Sequence, residues 1–131
     1  MIPLLALALF QTPAAPDYTE MRAILRTAEL AIPGCEAELA AGAWNGEACI
    51  RLLEAHADFG TRYEAMRQWV DAQVDTSDRA ALNAYVQDDP DGRAFARFFD
   101  DTRERYARVG EAVDVVLYSA ERAHSRREGD L

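Results

Sequence analysis

The stretch PGCEAELAAGAWNGEAC, Pro33 to Cys49, contains both cysteines of the chain and two of its breaks. Its reading decides how the helical segments on either side are joined. Pro33-Gly34 reads as a helix stop, since Pro lacks an N–H and Gly favours the turn that ends a helix. Residues 35–43, CEAELAAGA, then read as a short separate helix, and Trp44-Asn45-Gly46 as a second break. Cys35 and Cys49 are not a C-x-x-C redox pair. With His56 they offer only three ligands for zinc. An even number of cysteines in an exported chain is expected to oxidise, so the pair reads as a structural disulfide. In a reducing compartment the same residues would be two buried thiols. Closing a loop of about 15 residues would stabilise the fold by roughly 3 kcal/mol.

The disulfide constrains the path of the chain. A straight helical hairpin turning at Asn45 would leave Cys35 about 9 Å too far along the axis from Cys49. Bridging needs Cα atoms within about 7 Å. The expectation is therefore a folded-back loop over 33–46, with one or two helical turns.

Outward from this stretch the apolar spacing is helical throughout. Tyr18, Met21, Ile24, Leu25, Ala28 and Ile32 recur at three- and four-residue steps, with Asp17 or Thr19 as the cap. A long helix is expected from about Asn45 to Asp75, on the stripe Cys49, Leu52, His56, Phe59, Tyr63, Met66 and Val70. Thr76-Ser77 opens a short helix to about Gln87, and the turn DDPDG ends it. A last long helix is expected from about Asp91 to Ala123. No segment alternates like an exposed strand. The two long helices would span about 45 and 48 Å, and the short one only about 16 Å. The short helix cannot return the chain along the full height of a bundle. The fold class expected is all-α, an up-down-up bundle of three long helices with a short capping helix. A four-helix up-and-down bundle is the alternative.

With 131 residues, half of them hydrophobic, the chain fits one domain with one modest core. All of its basic residues are Arg, and the formal net charge is −9. The absence of Lys rules out Schiff-base, P-loop and Ser–Lys chemistry. The acidity argues against nucleic acid as a partner. Between Asp71 and Asp101 eight Asp stand against three Arg. This is either a solvated face or a docking surface for a basic protein, and Asp88, Asp89, Asp91, Asp100 and Asp101 are the candidate contact residues.

The N-terminus, MIPLLALALFQTPAAPDY, has an apolar run from Ile2 to Phe10 followed by small residues. It reads as a signal peptide cleaved after Ala14, although no basic residue precedes the run. The domain organisation expected is a leader over 1–14 and one helical domain over 15–131. The expected location is periplasmic or secreted, with no stable membrane span after cleavage.

The two histidines fall on apolar stripes. Met21 and His124, near opposite ends of the helical region, resemble in position the axial ligands of cytochrome b562-type bundles. That resemblance implies haem and requires the four-helix topology. No C-x-x-C-H attachment motif accompanies it. Apart from it, His56 on its apolar stripe is another candidate ligand for haem or a metal. In the three-rod topology His56 lies level with Gly110, about 20 Å from His124. If Gly92 took the sixth position of an EF-hand loop, Gln87 and Phe98 would fill the first and twelfth, so DDPDG reads as a capping turn. No constellation carries catalysis. The expectation is a non-catalytic bundle that binds a partner protein or has a structural role in the cell envelope, with a haem carrier as the alternative.

Overall fold

The computed structural model describes residues 14–129. The leader expected over 1–14 lies, apart from Ala14, outside them. The described residues form four α-helices: α1 (Tyr18–Ala40), α2 (Glu47–Gln73), α3 (Arg79–Asp88) and α4 (Pro90–Gly129).

Each start has a local cause. Asp17 caps α1 by accepting the Glu20 N–H at 3.0 Å. Asp78 caps α3 through the N–H groups of Ala80 and Ala81. Asp89 closes α3 and opens α4, accepting the Asp91 N–H at 2.8 Å, with Pro90 in the first helical position. DDPDG is therefore a one-residue elbow between two helices, with its second aspartate, Asp89, accepting from the backbone N–H groups of Asp91 and Gly92.

Pairings between helices fix the topology. Glu20 of α1 meets Arg62 of α2, and Cys35 meets Cys49, so α1 and α2 are antiparallel. Tyr18 packs on Phe98, with ring centroids 4.7 Å apart, and Glu29 pairs with Arg105, so α4 runs parallel to α1. The bundle is the up-down-up set of three rods expected from the lengths. Helix α3 packs on the start of α4, and the Tyr85 hydroxyl donates to Gln73 Oε1 at the end of α2. The core runs along the three-rod seam, with Leu25, Leu52, Phe59, Phe98, Val109 and Val116 fully buried. Buried Thr102 satisfies its hydroxyl by donating to the Phe98 carbonyl at 2.7 Å.

Pro33 does not end α1. The helix continues seven residues beyond it, to Ala40. Pro33 and Gly34 are both exposed, so water reaches the outer side of the helix where the Glu29 carbonyl loses its usual N–H donor. The stop lies at Gly42, which adopts φ 81°. The Gly42 N–H bonds the Leu39 carbonyl at 3.0 Å and the Ala43 N–H bonds the Glu38 carbonyl at 2.8 Å. This is a complete Schellman ending. Helix α4 also runs further than its apolar stripe, to Gly129.

Candidate functional site

The Cys35–Cys49 disulfide joins α1 to α2, with Cα atoms 4.4 Å apart. The expected compact loop over 33–46 is corrected: this is a helical hairpin. Cys35 lies five residues, about 7.5 Å, before the end of α1, and Cys49 two residues, about 3 Å, after the start of α2. Helix α1 overshoots the start of α2 by roughly one turn, and residues 41–46 descend alongside it. This offset supplies the register that a hairpin turning at Asn45 would lack. Gly34 permits the close approach, because a Cβ there would stand 3.0 Å from the Ala48 Cβ.

The overshoot also places Glu38 beside the first turn of α2. Gly46, the N-cap residue, has no side chain to satisfy the open N–H groups. Glu38 takes that role from the neighbouring helix, accepting the Ala48 N–H at 2.9 Å and the Cys49 N–H at 2.8 Å. A carboxylate is favoured at this positive end of a helix. A Cβ on Gly46 would collide with the Glu38 carboxylate, which accounts for glycine there.

The two sulfurs and a Glu38 oxygen lie within 4.8 Å of one another, the one potential metal-ligand group found among the described residues. Joined as a disulfide, the sulfurs are not thiolate ligands, and the Glu38 carboxylate is already bonded to two N–H groups. Cys35 and Cys49 are 2% and 0% exposed, so the bond is shielded from solutes.

The three residues considered for haem do not converge. Met21 is buried near the Asp17 end of α1, in the region where Arg22 pairs with Asp101 of α4. His124 is exposed near the far end of α4, 23 residues or about 35 Å beyond Asp101. His56 is mid-bundle, its ring tilted against Tyr106 with centroids 5.4 Å apart, and its Nε2 would be 3.8 Å from a Cβ on Gly110. The three are thus spread along the bundle, and the described helices form three rods with a short cap, not the four-helix topology that the haem arrangement requires.

The acidic residues fall along the end of α2, α3 and the first third of α4, where Asp91 and Asp100, nine residues apart, project from opposite sides of the helix. They differ in how far they are already engaged. Asp89 is the elbow cap, and Asp101 pairs with Arg22 at 3.2 Å and Arg105 at 3.3 Å. Asp75 accepts from Ser77, which lowers its pKa, and Asp78 caps α3. Asp88, Asp91 and Asp100 are exposed, and their carboxylates have no hydrogen-bond or ion-pair partner among the described residues. Beneath this surface lies Tyr18. Its hydroxyl is out of solvent reach and has no hydrogen-bond partner among the described residues. Burial, reinforced by Tyr85 and Asp91, pushes its pKa up to about 12.

Among the described residues no helix is long and apolar enough to cross a membrane. No protein-family model, curated protein or solved structure matches the chain.

Proposed function

We propose that the chain is an exported, non-catalytic helical bundle that binds a basic protein partner through its acidic end, in the periplasm or outside the cell. The observation that carries the docking reading is the set Asp88, Asp91 and Asp100. These three exposed carboxylates at one end of the bundle are not neutralised by any described side chain. An excess of one charge sign on an exposed surface steers an oppositely charged partner. The compartment reading is supported by the buried disulfide, a bond that persists in oxidising environments, and by the apolar run at the N-terminus.

Two experiments test these two parts. Mass spectrometry of the protein recovered from its native host reports the N-terminus and the thiol state together. A chain starting at Ala15 with an oxidised pair is the expected result, and an intact Met1 with two free thiols would overturn the compartment. For docking, a photo-crosslinking residue in place of Asp91 should yield one adduct with a basic envelope protein. That adduct should vanish in an Asp88→Asn, Asp100→Asn background and at about 0.5 M salt, where surface charges are screened. An adduct insensitive to both changes would sink the electrostatic reading.

A further inference from the structure

At the other end of the bundle, α4 runs past the hairpin that joins α1 to α2. Its last turns form one wall of a cleft of about 210 Å³, with Ser119, Arg122 and Arg126 facing Leu39, Gly42 and Trp44. This cleft is cationic in a chain of net charge −9. Neither arginine has a carboxylate partner among the described residues. Arg122 is instead oriented by Tyr118: its Nη1 donates to the phenol oxygen at 3.2 Å, and its guanidinium lies 5.8 Å from the ring centroid. Arg126 follows one turn later on the same helix face, and both side chains line the cleft. Ser119 donates its proton to the Val115 carbonyl at 2.9 Å, which leaves the hydroxyl oxygen free to accept.

The opposite wall is held from both sides. The left-handed turn at Gly42 precedes Trp44, and the Glu38-capped start of α2 follows it. The backbone that carries the half-buried Trp44 is therefore fixed before any ligand arrives, which reduces the ordering cost of binding. Two guanidinium groups supply paired donors for the oxygens of a phosphate or carboxylate. An indole face supplies a stacking surface for a flat ring.

We propose that this cleft binds a small organic anion. Its phosphate or carboxylate group lies between Arg122 and Arg126, and its planar body lies against Trp44. The site is separate from the acidic end, since Asp100 and Arg122 are 22 residues, about 33 Å, apart along α4.

Trp44 is also the reporter. The chain has two tryptophans, so Trp69→Phe leaves one indole emission. The probes are phenyl phosphate, benzoate, inorganic phosphate and neutral benzyl alcohol. Phenyl phosphate or benzoate should shift Trp44 emission saturably. Inorganic phosphate should bind at least about tenfold more weakly, because it lacks the ring. Benzyl alcohol should give no saturable response. Arg122→Gln and Arg126→Gln should each weaken binding by about tenfold, with the circular dichroism melt unchanged. If Trp69→Phe does not fold, the Trp44 indole N–H resonance in the unsubstituted protein gives the same titration. Which aryl anion binds tighter identifies the preferred headgroup. An equal response to benzyl alcohol would overturn the proposal. So would an equal response in the Arg122→Gln/Arg126→Gln protein, or no saturation by either aryl anion.

Discussion

The backbone N–H of Cys49 donates to the Glu38 carboxylate at 2.8 Å, across eleven positions of sequence and from one helix to the next. Most helices that have a side-chain cap draw it from the N-cap residue itself. Here Gly46 occupies that position, and the overshoot of α1 delivers the carboxylate instead. Glu38→Ala should cost about 1–2 kcal/mol, the usual range for a lost cap. Gly46→Ala should cost a similar amount by displacing the same carboxylate. The double variant is the sharper test. Truncating Glu38 removes the three atoms nearest to a methyl on Gly46, so the two losses should not add. Urea unfolding of the four proteins measures this, and additive losses would show that the two residues do not act on one cap.

The disulfide lies one turn from that cap. Removing it with Cys35→Ser and Cys49→Ser should lower stability by about 3 kcal/mol, the chain-entropy value for a loop of this size. Because the sulfurs are buried, thiol reductants should reach the bond only when the hairpin opens. The reduction rate should therefore rise with urea in parallel with unfolding. Rapid reduction under native conditions would contradict the closed packing around Gly34 and Ala48.

Glu29 and Arg105 tie α1 to α4 through two hydrogen bonds, at 2.7 and 3.1 Å. The hydrogen bond from Arg105 holds the Glu29 carboxyl below its ordinary value of 4.5, against a smaller opposing effect of burial. A depressed folded-state value stabilises the fold above the unfolded value. That contribution disappears as pH falls through the folded one. Glu29→Gln should therefore cost about 1 kcal/mol at pH 7. The gap between variant and parent should close below about pH 4. Melting temperatures across pH 2.5–7 measure this, and a constant gap would mean that the charge of Glu29 contributes nothing.

The periodic stripes made the architecture legible. Phe59, Met66, Phe98 and Val109 recur at helical steps and all face one core, while the shortness of the helix before DDPDG required three rods. The helix continues through the expected break at Pro33 for a definable reason. Proline is a strong local stop signal, yet α1 beyond Pro33 gains the burial of Cys35, the contact of Gly34 with Ala48 and the disulfide. Tertiary packing outweighs the local propensity there. The offset of the two helices depends on how residues 41–46 descend, and no spacing rule encodes that. The Glu38 cap and the Trp44–Arg122–Arg126 cleft both depend on this offset and on α4 outrunning it. Of the acidic candidates, sequence could place Asp88, Asp89, Asp91, Asp100 and Asp101 on one segment. It could not distinguish the capping Asp89 and the paired Asp101 from the three left open.

Tyr18 offers a test at the acidic end of the bundle. Its hydroxyl is buried without a described partner, an arrangement that leaves its desolvation cost uncompensated. Tyr18→Phe keeps the ring contact with Phe98 and removes only the oxygen. The variant should be as stable as the parent at pH 7, or more stable by about 1 kcal/mol. Alkaline titration adds a second readout. The folded-state pKa is raised from 10.0 to about 12, chiefly by burial. The unfolded chain therefore ionises this phenol first, and the fold loses stability as pH rises from about 10 towards 12. Removing the group should flatten the alkaline decline in melting temperature over that interval. It should also remove the latest-ionising tyrosine from the ultraviolet titration. A variant destabilised by more than about 2 kcal/mol would instead reveal that the Tyr18 oxygen is hydrogen-bonded, for example to a buried water.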